Sequence, residues 1–148
     1  METGRNCDDS TLEKFSGLSF VEQRIGAVVY EWISFSGRSP KDIMRLRASY
    51  PRDVKKGTLV HELGHRLLFG VDTSRDGLDE EKVLFLFLHD VRTEVYGKEF
   101  ADAQVAIESA LTGVYDYAEA WKWTLGLGTK GRATQLREVS EHRGKILH

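Results

Sequence analysis

His61 and His65 stand four residues apart, with Glu62 beside the first, in the run His61-Glu62-Leu63-Gly64-His65. On a helix, side chains four apart lie on one face, so both imidazoles can grip a single metal ion. Zinc in catalytic sites takes three protein ligands and keeps its fourth position for water. Glu62 is then placed to act as general base on the metal-bound water, whose pKa the metal lowers toward neutrality, during attack on a carbonyl. Gly64 inside this helix costs roughly 1 kcal/mol relative to alanine. That cost points to a close approach there, by another backbone or by a substrate.

A third ligand must come from elsewhere. Asp90, Glu94, Gly97, Ala101 and Val105 follow a three-to-four spacing and share one face of a downstream helix. Gly97 and Ala101 are small enough to let that face pack closely on the histidine helix, which would aim Asp90 and Glu94 at the imidazoles. One carboxylate would bind the metal and the other would hydrogen-bond a ligand histidine. The spacing leaves open which does which. His89 lies one position off this face, and Glu99 with Asp102 falls beside it.

The elements that position these groups follow from pattern and punctuation. Leu59, Val60, Leu63, Leu67 and Leu68 make the histidine segment an apolar helix over residues 56–69, stopped at Gly70. After a polar loop, the acids of Leu78-Asp79-Glu80-Glu81 suit the start of a second helix, which the pattern carries unbroken to about residue 110. Residues 115–123 read as another helix, closed by Gly126, Gly128 and Gly131, with a polar tail over 132–148 able to form at most a marginal helix. Upstream, residues 25–35 are β-branched and aromatic, a turn-forming cluster follows at 37–41, and Met44-Arg45-Leu46-Arg47-Ala48 alternates apolar with basic. This predicts two antiparallel strands, with a helix over 20–32 as the competing reading. Ser10, with Glu13 three residues on, has the form of a capping box for a short helix through Phe15.

Composition narrows the classes of function. The chain has 148 residues, which suits one domain, with residues 1–9 and about 132–148 flexible. A net charge of −2 gives no long-range pull on nucleic acid or an anionic membrane. The longest apolar run, residues 83–88, is far too short to span a bilayer. No apolar leader follows Met1, and Cys7 is the single cysteine, so the expectation is a cytoplasmic protein without disulfides. Trp121 and Trp123, with Tyr115 and Tyr117, are expected to seal a small core.

The run Gly57-Thr58-Leu59-Val60-His61-Glu62-Leu63-Gly64-His65 resembles the HELGH helix of gluzincin metallopeptidases, especially the minimal gluzincins and the ImmA/IrrE type. Glu94-Val95-Tyr96-Gly97-Lys98-Glu99-Phe100-Ala101 is similar to the Glu-x-x-Ala-x-x-Phe-Ala pattern that carries the metal-binding glutamate in the latter, with Gly97 replacing the first alanine. The resemblance covers about residues 55–105. It implies an α+β, zincin-like single domain with a short antiparallel sheet packed on the HExxH helix and a carboxylate-bearing helix. It implies one zinc ion on His61, His65 and Glu94, and Glu62 as the base. Lys98 stands where many gluzincins carry a supporting acid. Were Asp90 the ligand instead, Glu94 would fill the supporting place and the site would look more like an aspartate-type zincin.

The implied activity is zinc-dependent hydrolysis of peptide bonds in a peptide or protein substrate, by an endopeptidase rather than an exopeptidase. The alternative is a zincin-fold regulatory or interaction domain with narrow or no proteolytic activity. The resemblance further implies substrate binding by strand addition, with residues 43–48 as the edge. Arg45 and Arg47 would favour acidic substrates, Tyr96 and His89 would be candidate oxyanion donors, and the C-terminal tail a candidate inhibitory segment.

Overall fold

A helix that is apolar on every side, as residues 83–88 are, is stable only when other elements cover it all round. The computed structural model, which describes residues 7–21, 24–73, 77–113 and 115–141, provides that cover. The elements are α1 (Cys7–Ser16), β1 (Ala27–Tyr30), β2 (Met44–Arg47), α2 (Arg52–Leu67), α3 (Glu80–Tyr96), α4 (Lys98–Ser109), α5 (Tyr117–Gly126) and α6 (Gly128–Glu141). α3 lies at the centre and touches each of the other five helices. Val83, Leu84, Phe85, Leu86, Phe87 and Leu88 are all buried in the core around it. The chain is therefore a mixture of helices with one small sheet, and no helix among the described residues is long and apolar enough to cross a membrane.

The strands correct the expected antiparallel pair. β1 and β2 run parallel, with Ala27 opposite Met44 and Tyr30 opposite Arg47. The turn at 37–41 is present, fixed by Asp42, whose carboxylate accepts from the backbone N–H of Arg38 (2.7 Å) and Ser39 (3.0 Å). What it reverses is the piece of chain just before it. Phe35 lies antiparallel to Arg45, each N–H donating to the other's carbonyl at 2.8 Å. Residues 31–43 supply the connection of about a dozen residues that a parallel pair requires. β2 therefore has a neighbour on both sides, so residues 43–48 are not the open edge. The alternation of β2 is as expected: Met44 is buried, and Arg45 and Arg47 are exposed.

Other boundaries shift for identifiable reasons. α1 begins at Cys7, which puts Ser10 inside the helix, and Glu13 accepts from the N–H of Phe20 (3.0 Å) instead of closing a capping box. α2 starts directly after Pro51 rather than at Lys56. Asp79 caps α3 by accepting from the N–H of Lys82 at 2.8 Å. The long second helix does not run on to Ala110. Gly97 adopts φ 94° and ψ 159°, which turns the chain so that α4 packs back on α3. α6 is a packed helix that buries Leu136 and Val139, where a loose tail was expected. Residues 1–6 and 142–148, which include the candidate inhibitory end, lie outside the described residues.

Candidate metal centre

The centre is built by α2 and α3 packing at a single small residue. A Cβ at Gly64 would run into the side chain of Leu84, so the glycine lets the two helices come together. The helices run in opposite directions, with the Phe85 ring edge-on to His61 (centroids 6.0 Å apart) and Arg92 Nη2 donating to Gly57 O (2.8 Å). The first turn of α3 thus faces the last turns of α2, and Glu81 arrives over both histidines.

Three ligand atoms converge there. His61 Nε2 and His65 Nε2 are 3.2 Å apart. Glu81 places Oε1 3.0 Å from His65 Nε2 and Oε2 3.3 Å from His61 Nε2. The far nitrogen of each ring faces a second carboxylate: His65 Nδ1 is 2.9 Å from Glu80 Oε1, and His61 Nδ1 is 3.6 Å from Glu108 Oε1. Glu108 is buried and is held by the Arg92 guanidinium and by Trp121 Nε1, which donates to its Oε2 at 3.0 Å. The break at Gly97 is what makes this contact. In one unbroken helix, Arg92 and Glu108 would be about 24 Å apart.

The charges follow from this arrangement. Burial works against the charged form of His61, but contacts with Glu108 and Glu81 outweigh it and raise its pKa to about 10. His65 is raised to about 9 against the same penalty, by Glu80 and Glu81. Burial also opposes ionisation of Glu81 and Glu108, yet the histidines hold Glu81 far below the usual carboxylate range, and Arg92 with His61 holds Glu108 at about 2. Glu62 moves the other way: burial raises its pKa, partly offset by His61 and His65. Its carboxyl is hydrogen-bonded by Ser36.

His61, His65 and Glu81 form a group that can hold a metal ion. Without metal, the two imidazolium Nε2–H groups face the Glu81 carboxylate. With those two protons displaced and Nδ1–H kept toward Glu80 and Glu108, both Nε2 lone pairs point at the same place as the Glu81 oxygens. A metal cation can take the place of those two protons. Ligands about 2.0–2.1 Å from a tetrahedral zinc stand roughly 3.3 Å from one another, close to the separations found here. The carboxylates behind each imidazole are the usual orienting partners of metal-bound histidine. The residues present therefore fit a metal ion.

The structure does not bring the expected acids to this point. Glu94 pairs with Lys14 Nζ of α1 (2.8 and 3.1 Å), and Asp90 pairs with Arg132 of α6 (3.0 and 3.2 Å). Of the two expected oxyanion donors, His89 bonds Asp102 (2.8 Å) and Tyr96 packs beside Phe100. Neither lines the cleft of about 630 Å³ that holds His61, Glu62, His65 and Glu81. Tyr117 does line it. Burial, with Glu81, Glu108 and Glu62 nearby, pushes its phenol up to about 12, which keeps it a hydrogen-bond donor at neutral pH. One signal for Glu81 was present in the sequence. Glu80 and Glu81 were legible as the first turn of the next helix, but twelve residues, 68–79, separate the two helices and leave their pairing with His65 to the tertiary packing.

No family model matches this chain, and neither a curated protein nor a solved structure matches it. A functional reading therefore stands on the geometry of the site.

Proposed function

We propose that this chain is a zinc-dependent peptidase, with the metal held by His61, His65 and Glu81 and with Glu62 as general base. The carrying observation is the convergence of three ligand atoms, each imidazole backed by a carboxylate, in a cleft that also contains the half-buried Glu62. Two histidines and one carboxylate are a donor set suited to zinc, which when bound supplies a Lewis acid for a carbonyl oxygen and acidifies a water. The chain's own groups do the rest. Glu62, with a pKa raised by burial, is better matched to taking and returning a proton near neutrality than an exposed glutamate. The protonated Tyr117 hydroxyl is available to donate to an oxyanion in the same cleft. Ser34, Phe35 and Ser36 line the cleft, and this extended piece is the edge along which a peptide backbone would pair.

The test is hydrolysis of casein and a peptide library by the zinc-loaded protein and by Glu62→Gln. The variant should keep its zinc and lose roughly 10²–10⁴-fold in rate. Undiminished activity in Glu62→Gln would remove the base, and no hydrolysis by the zinc-loaded wild type would favour a binding or regulatory domain.

A further inference from the structure

The outer face of the sheet, next to the cleft, carries three cations against a single carboxylate, Asp42. Ile43, just before β2, and Arg45 within it are exposed on either side of the buried Met44. Together with Phe35, Arg38 and Lys41 they line a hollow of about 480 Å³. Asp42 also borders it, but its carboxylate is committed to the backbone N–H groups of Arg38 and Ser39. Among the described residues, Arg38, Lys41 and Arg45 form no ion pair.

The frame under these cations is fixed. The buried Arg66 guanidinium donates to the carbonyls of Ser36 (2.9 Å), Ser39 (3.3 Å), Pro40 (2.9 Å) and Asp42 (2.8 Å), which ties the loop to α2 beside the histidines. Phe35, Gly37 and Arg38 line this hollow and the metal cleft alike.

We propose that the hollow is a specificity pocket that takes an acidic side chain of the substrate peptide. This rests on the peptidase reading above. An extended peptide lying along residues 34–36 projects successive side chains to opposite faces of the sheet. Those directed outward come over Phe35 and Arg45. There the Phe35 ring and Ile43 cover the aliphatic part of a glutamate or aspartate, and the planar guanidinium groups donate paired charge-assisted hydrogen bonds to its carboxylate. A lysine or arginine at the same place meets an excess of like charge, three cations against the one carboxylate of Asp42. The surrounding chain carries a net charge of −2, so this local excess is not a property of the whole surface.

The test has two arms. In the first, cleavage sites in a peptide library treated with zinc-loaded protein are mapped by mass spectrometry. An acidic residue should be enriched at one fixed position from the scissile bond, by about tenfold or more over glutamine. The enrichment should vanish or invert toward basic residues in the Arg38→Glu/Arg45→Glu double variant with zinc content retained. Arg47→Glu makes a similar charge change on the same strand but outside the hollow, and should leave the preference intact. In the second arm, a fluorescein-labelled decapeptide of alternating glutamate and alanine is titrated into Glu62→Gln and followed by anisotropy. It should bind about tenfold or more tightly than its glutamine counterpart, and lose that advantage in the double variant. Cleavage without acid preference, or a preference that survives the double variant or is lost in Arg47→Glu, overturns the pocket while leaving the peptidase standing. Absence of all cleavage overturns the peptidase reading, and the binding arm then decides the pocket: equal binding of the two peptides refutes it.

Discussion

Both histidines of the metal centre are held at both ring nitrogens, so the orientation of each ring is set before any metal arrives. Glu81 faces the two Nε2 atoms, while Glu80 and Glu108 face the Nδ1 atoms. The consequence for pH is specific. In the metal-free protein His61 has its pKa raised from 6.5 to about 10 and His65 from 6.5 to about 9. A raised pKa contributes stability that is complete below the unfolded value and is lost as pH rises through the folded one. Glu108, lowered from 4.5 to about 2, contributes above pH 4.5 and loses its share only as pH falls through about 2. The chelator-treated protein should therefore lose Tm as pH is raised from 6.5 to 10, and zinc, by replacing those protons, should flatten the decline. Circular-dichroism melts with and without chelator measure this. A metal-free Tm that is constant over that range would contradict the assigned partners.

At the scale of elements, the approach of α3 to α2 at Gly64 decides whether Glu81 reaches the histidines. Gly64→Val should push Leu84 and the start of α3 away, costing about 1–3 kcal/mol in denaturant unfolding and weakening zinc binding together with it. Gly126→Ala, where a Cβ would meet nothing, should be neutral or stabilise by up to about 1 kcal/mol. Equal effects of the two substitutions would mean that the close approach is unimportant. The sequence made part of this legible. The face shared by His61 and His65, the need for an approach at Gly64, the helix start near Asp79 and the alternation of β2 all follow from local sequence. Glu81 did not emerge, because spacing along α3 shows which residues share a face but not which face meets α2. Placing the contact at Gly97 and Ala101 of one long helix led to Glu94, which lies 13 positions beyond Glu81, about 20 Å further along a helix. The contact instead uses a small residue of α2 and a large one of α3. The parallel pairing of β1 and β2 was hidden for a related reason: the turn before β2 was visible, but the piece of chain it folds back is Phe35 rather than β1.

At the scale of the molecule, the metal centre and the core are one connected structure. Phe85 stacks on Trp121 with centroids 3.9 Å apart, Trp121 donates to Glu108, and Glu108 faces His61. A ligand bound at the centre should therefore stabilise the whole fold, by about 2.7 kcal/mol when free zinc is a hundred times its dissociation constant. Unfolding followed by tryptophan fluorescence should show this gain with zinc and its removal by chelator, and identical curves would place the metal outside the cooperative structure. The central claim is tested most directly by the zinc content of purified wild type, Glu81→Ala, Glu94→Ala and Asp90→Ala, measured by mass spectrometry of the metal after dialysis. One zinc per chain is predicted for wild type, Glu94→Ala and Asp90→Ala, and none for Glu81→Ala. A wild type that takes up no zinc, or a Glu81→Ala protein that keeps it while Glu94→Ala loses it, would contradict the assignment.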